Sequence, residues 1–329
     1  MNTRTLVTIF ILLIVATIAV GMLYARFKDS PISVNHTSKQ SSETKDDKHS
    51  NTQLTNTDDR NPHQQDNTDD YRPPARGVNQ QELKPDPKLI VLPVAMGEEP
   101  DEEKVKGQSG YVSLGSGGGW IMQTNGVRRI VIPGVVLNNY GEMEFFACVE
   151  GSGKDYETVL KLYCDNVHKL QYALMLYCRL KKGPLPEKLG GTDKKQGDRV
   201  LVFVQWKDKN GKVVTHRAED LVIDRKRETA MPRVGFTYTG SYFEEQIDPD
   251  TKKVVRSVFA ADMSKSIITT IRDRTALLDN PLPEADDHIG IPANYSVLPP
   301  PGTPIKIIIR APNEGEKNAI TELEKKLAD

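Results

Sequence analysis

The chain reads as α+β and mostly β: an antiparallel sheet domain with one packed helix, preceded by a single transmembrane helix and a disordered tether. Three observations predict this. An uncharged apolar run fills most of residues 1–28, and residues 29–87 are almost bare of apolar side chains. Residues 88–329 then carry a series of short, β-branched apolar runs, each closed off by Gly, Pro or Asp-Asn clusters, which is a strand signature.

Bulk properties narrow the function classes. Only 37% of the 329 residues are hydrophobic, so length overstates the folded part and the core must be concentrated at the C-terminal end. Lys and Arg total 44 against 45 Asp and Glu, which gives no basic excess for a phosphate backbone and argues against nucleic acid as a partner. The three cysteines, Cys148, Cys164 and Cys178, are an odd number without Cys-x-x-Cys spacing. They are expected as buried free thiols, or as one bridge and one spare.

The anchor is "TLVTIFILLIVATIAVGMLY", residues 5–24, twenty positions without a charge. At roughly 1.5 Å per residue a helix of that length matches the hydrocarbon layer of a bilayer, its expected partner. Ala19 and Gly21 offer the alternative of a cleaved signal peptide and a secreted product. The apolar run continues through Met22, Leu23 and Tyr24, which favours an uncleaved single-pass anchor with the C-terminal domain exported. From Asp29 to Asp70 only Ile32, Val34 and Leu54 are apolar, too few to offset the entropy of ordering the chain. Pro73, Pro74, Pro85 and Pro87 stiffen the rest of the tether, and folding is expected to begin near Lys88.

Strands are expected at 127–137, 143–149, 157–164, 199–206, 212–218, 234–241, 254–261, 266–272 and 305–310. "KDKNGK" joins two of them as a tight hairpin, with Asn210 and Gly211 at positive φ. "DNVHKLQYALMLYCRL" is the packed helix: Asp165 or Asn166 caps it, and Val167, Leu170, Leu174 and Cys178 fall on one face. The tail "NEGEKNAITELEKKLAD" predicts a second helix, capped by Asn313, whose thin stripe of Ile320, Leu323 and Leu327 implies loose docking. "GSGGGW", residues 115–120, is read as a flexible turn.

"EGSGKDYETVLKLYC" places Gly153-Lys154 ahead of an apolar run, as a phosphate loop would. Such a loop needs a glycine five positions earlier and a Ser or Thr after the lysine, but Cys148 and Asp155 stand there. The expectation is a hairpin instead, "MEFFACV" and "ETVLKLYC" joined by "EGSGKD". Here "MEFFACVEG", "GKDYETVL", "VHKLQYAL", "GDRVLVFVQWKDKNGKVV", "RAEDLVID", "FTYTGS" and "NYSVLPPPGTPIKIIIRAP", in this order over residues 125–312, resemble the YdjY-domain family. The resemblance implies an exported or membrane-attached bacterial protein and no assigned reaction. Tyr156-Glu157 stands where that family usually has His-Glu, so any role of the histidine is not carried over.

Two constellations could carry chemistry. Cys148, Glu157, Cys164 and His168 surround the expected hairpin and helix, and thiolate, imidazole and carboxylate together suit a borderline-soft cation such as zinc. The competing reading makes both thiols buried apolar groups and His168 an exposed residue of the first helical turn. "HRAED", 216–220, with Ser241 could serve a hydrolase, but "TGSYF" lacks the Gly-x-Ser-x-Gly elbow. No cofactor motif is present, so no cofactor is expected. The expected function is an interaction or ligand-binding module at the cell envelope, recognising an unknown envelope protein or ligand. The alternative is a metalloprotein or enzyme at the corner of Glu157, Cys164 and His168.

Overall fold

The computed structural model describes residues 96–115, 118–185, 197–286 and 289–328. The expected anchor, tether and start of folding near Lys88 lie outside them. Among the described residues no helix is long and apolar enough to cross a membrane. In chain order the structure runs α1 (Glu102–Val105), β1 (Tyr111–Ser113), β2 (Trp120–Thr124), β3 (Val127–Val136), β4 (Glu142–Met143), β5 (Phe145–Val149), β6 (Thr158–Leu162) and α2 (Val167–Tyr172). After α2 continues as a π-helical turn, Ala173–Tyr177, come β7 (Arg199–Lys207), β8 (Val213–Arg217), β9 (Ile223–Asp224), β10 (Thr229–Ala230) and β11 (Phe236–Tyr238). The chain ends with β12 (Phe243–Ile247), β13 (Val254–Phe259), α3 (Ala260–Ser264), β14 (Ser266–Thr269), β15 (Leu278–Asp279), β16 (Ile291–Pro292), β17 (Pro304–Arg310) and α4 (Glu314–Ala328).

The chain is mostly β, as expected, but its main sheet closes on itself. The order β3-β17-β7-β11-β15-β14-β5-β6 returns to β3, a barrel-like ring of eight strands, with β2 and β1 appended to β3 and β8 to β7. Closure leaves those eight strands few open edges. On β3, residues 127–131 pair with β2 and residues 134–136 with β6, so one edge serves two neighbours in turn. Pro133, which has no N–H to donate, sits at the hand-off. Gly134 follows because the β6 backbone comes close: a Cβ there would lie 2.3 Å from the Lys161 carbonyl oxygen.

The long strands owe their regularity to uninterrupted apolar runs rich in β-branched residues. Ile130–Ile132 of β3, Val200–Val204 of β7 and Ile307–Ile309 of β17 are all buried. Successive strand residues face opposite sides of the sheet, so both faces are covered there. Burying each such side chain contributes on the order of 2 kcal/mol.

Several expectations are corrected. "MEFFACV" and "ETVLKLYC" do not form a hairpin: β5 and β6 run parallel, Phe145 opposite Thr158 and Val149 opposite Leu162. Residues 150–157 double back through Gly151 and Gly153, at φ of 78° and 72°, and a 3₁₀ turn at Asp155–Glu157. Lys154 holds this return, its ammonium 3.9 Å from the centre of the Phe145 ring and donating to Ser266 Oγ at 2.8 Å. β14 and β15 are also parallel, through one residue pair, so the sheet is mixed and not purely antiparallel. Of the turn expected at "GSGGGW", Ser116 and Gly117 lie outside the described residues, and Trp120 begins β2 instead, a strand the run of glycines hides.

More than one helix packs on the sheet. α2 is the expected one: the Asn166 side chain accepts from Lys169 N at 3.2 Å, and Val167, Leu170 and Leu174 are fully buried. α4 is docked more firmly than its stripe suggested, with Ile320 and Leu323 buried. Its start is a reciprocal capping box, in which Glu316 N donates to Asn313 Oδ1 (2.9 Å) and Asn313 N to Glu316 Oε2 (2.8 Å). The β7–β8 hairpin forms around "KDKNGK", with Gly211 at φ 76°. Asn210 is not at positive φ, because Asp208 Oδ1 instead accepts from Asn210 N and Lys212 N (2.8 and 2.9 Å) and shapes a longer loop.

Candidate functional site

The four residues expected as a metal corner are placed separately. Cys148 is buried on β5, accepts a 3.5 Å contact from Thr158 Oγ1, and has its thiol pushed up to about 11 by burial. Cys164 is buried beyond β6, donates to the Asn166 carbonyl at 3.5 Å, and is also raised by burial. Glu157 closes the 3₁₀ turn, its carboxyl raised by burial and by the nearby charge of Glu144. His168 turns to neither thiol: its Nδ1 lies 2.5 Å from Asp262 Oδ2 on α3. The other Asp262 oxygen accepts from Val167 N (2.8 Å) and His168 N (3.2 Å), so this aspartate is a second cap of α2. Among the described residues no three His, Cys, Asp or Glu side chains gather closely enough to hold a metal. All three cysteines are free.

"HRAED" forms a buried ion network. The strand ends at Arg217, and Ala218–Leu221 turns as a 3₁₀ segment that buries Glu219 and Asp220. Arg217 pairs with Glu219, and Arg233 reaches both oxygens of Asp220 at 2.7 and 2.9 Å. Burial pushes the Asp220 carboxyl up, but His216, its Nδ1 3.8 Å away, and the hydrogen bonds from Arg233 outweigh it and hold the group below the usual range. Ser241 is fully buried at φ 50°, and its Oγ meets no partner among the described residues. It makes no hydrogen bond to this network among the described residues, so no hydrolase triad is assembled.

A cleft of about 690 Å³ opens where the start of β3, the end of β17, the end of the π-helical turn and residues 96–99 converge. Arg128, Arg129, Arg179 and Arg310 line it, with Glu98 and Glu99. The register of β3 and β17 sets Arg129 directly opposite Arg310. Like charges in that relation destabilise a ladder unless each is balanced. Each arginine has its own glutamate here. Arg129 Nε donates to Glu99 Oε2 at 2.6 Å, and Arg310 grips both oxygens of Glu316 at 2.7 and 2.6 Å. Burial pushes Glu316 up, yet Arg310 and the Asn313 N–H outweigh it and keep the carboxyl below its ordinary range.

The remaining lining groups are less committed. Among the described residues Arg128 donates only to neutral oxygens, Gln123 Oε1 and the Tyr177 carbonyl, both at 3.0 Å. Arg179 is exposed, ends the π-helical turn at φ 56°, and has no hydrogen-bond or ion-pair partner among the described residues. Glu99 is anchored by its backbone, its N–H donating to Gln205 Oε1 at 2.9 Å and its carbonyl accepting from Lys306 Nζ at 2.6 Å. Its side-chain Oε1 is buried without a hydrogen-bond partner among the described residues.

Sequence reasoning missed this cleft. "VRRIVI" and "IKIIIRAP" each carry arginine at the edge of an apolar run, and antiparallel pairing of those runs would have set the arginines opposite one another. The chain matches no protein-family model, no curated protein and no solved structure.

Proposed function

We propose that this chain is a ligand-binding module of the cell envelope, held at the membrane by residues 5–24, with the arginine-lined cleft as its binding site. One observation carries the ligand-binding part: a cleft sized for a small molecule keeps uncompensated guanidinium charge on rigid strand and helix ends. The apolar run and polar tether support envelope attachment, and the order of motifs over residues 125–312 supports kinship with the YdjY-domain family. The rival metalloprotein or enzyme at Glu157, Cys164 and His168 is not adopted, because no donor cluster gathers there among the described residues.

Ligand-observed NMR with a library of polar fragments tests the site, using the full chain in detergent micelles and mapping hits by hydrogen-exchange protection. Protection at 128–130, 177–180 and 311–313 is expected. Fragments that protect only other regions, or no hits, contradict the reading. Fractionation tests the attachment: the protein should stay with membranes through an alkaline carbonate wash, and recovery in the soluble fraction contradicts it.

A further inference from the structure

We infer that the cleft takes a small carboxylate that also carries an ammonium group, of the amino-acid or short-peptide class. Arg128 and Arg179 hold its anionic end, and Glu98 and Glu99 its donor end. This rests on the ligand-binding reading above.

Charge bookkeeping across the cleft leads to that class. Arg129 is neutralised by Glu99 and Arg310 by Glu316, which leaves Arg128 and Arg179 as the guanidinium groups of the lining without an acidic partner among the described residues. Planar guanidinium forks match a carboxylate through parallel charge-assisted hydrogen bonds. A neutral apolar ligand would leave those cations unmatched. A polyanion would be repelled by the two glutamates in the same wall.

The donor end follows from Glu98 and Glu99. Glu98, exposed, and Glu99, buried, both line the cleft and a second, smaller cavity of about 240 Å³. Among the described residues only one of the Glu99 carboxylate oxygens is used, by Arg129; the other is shielded from solvent and unbonded. A buried acceptor left unsatisfied costs about 1–3 kcal/mol. An ammonium that reaches it as the wall adjusts recovers part of that cost. Acceptor and cations thus share one wall, and a ligand bearing both complementary groups satisfies them together.

Calorimetric titration of the full chain in detergent micelles compares triglycine, N-acetyl-triglycine and triglycine amide. Triglycine should bind, and each blocked form should bind about tenfold more weakly. Arg179→Gly removes the charge at a φ that glycine adopts freely and should weaken triglycine about tenfold. Glu98→Gln, a change at an exposed site, should weaken triglycine and leave N-acetyl-triglycine unaffected. If the acetylated peptide binds as well as triglycine, the donor end is overturned; if the amide does, the carboxylate end is overturned. Either result leaves the cleft itself standing. Binding unaffected by Arg179→Gly removes the cleft as the site. No binding of any peptide overturns the ligand class, and the fragment map then decides the cleft separately.

Discussion

Along β3, β17 and β7 the ladders run for seven and then five residue pairs without a break, whereas β11 and β15 share two pairs and β15 and β14 one. The first side of the ring is held by backbone bonds between long apolar strands. The second buries polar side chains that bond to backbone where ladder bonds are missing. Thr239 Oγ1 donates toward the Ala276 and Leu277 carbonyls at 3.2 Å each, Thr269 Oγ1 to the Glu144 carbonyl at 3.0 Å, and Asn280 Nδ2 to the Thr270 carbonyl at 3.0 Å. Buried Arg272 binds the carbonyls of Asn280, Pro281 and Leu282 and pairs with Asp286. Closing the ring therefore required two solutions to one problem, the pairing of every buried N–H and C=O. The cleft lies on the regular side, where long ladders fix the positions of Arg129 and Arg310.

If that contrast is right, the two sides respond to different insults. Arg272→Met should be the costlier, about 3–5 kcal/mol in denaturant melts, because it takes the guanidinium partner from the buried Asn280 carbonyl and from Asp286. Ile308→Ala on β17 should cost about 2–4 kcal/mol by cavity formation, and Ile308→Val only about 1 kcal/mol. A regular side as sensitive to Ile308→Val as to Ile308→Ala would break the comparison.

The pH dependence should have opposite signs on the two sides. Burial raises the Asp279 carboxyl on β15 well above its ordinary value of 3.8, with Arg272 opposing, so its contribution is complete below that value and is lost as pH rises through the folded pKa. Glu316, held below its ordinary 4.5, contributes above that value and loses the contribution as pH falls through the folded pKa. Asp279→Asn should flatten the loss on the rising side, and Glu316→Gln the loss on the acid side. Melts of each variant from acid to neutral pH check this, and swapped assignments would contradict it. The smallest effect is expected from Asn313→Ala, about 1 kcal/mol, through half of the α4 capping box.

Much of the regular side was legible, because β-branched runs such as "RVLVFVQW" and "IKIIIR" announce buried strands without reference to their neighbours. The α2 cap was legible for the same reason: Asn166 acts three residues away. What escaped depended on distant partners. The direction of β6 relative to β5 is set by the antiparallel edge that β6 shares with β3, so a short polar link looked like a hairpin. Asp262 caps α2 across 95 residues, and "FEEQI" of β12 carries too few apolar residues to signal a strand. The cleft was the least legible feature, since residues 96–99, β3, the end of the π-helical turn and β17 meet only once the ring has closed.

Native-state hydrogen exchange of the full chain at low guanidinium concentration tests the two-sided ring most directly. Amides of Ile130–Ile132, Val202–Val204 and Ile307–Ile309 should exchange only through global unfolding, while those of β11, β15 and β14 open earlier through a smaller, separate event. Equal protection on both sides, or earlier opening of β3 and β17, would contradict the account.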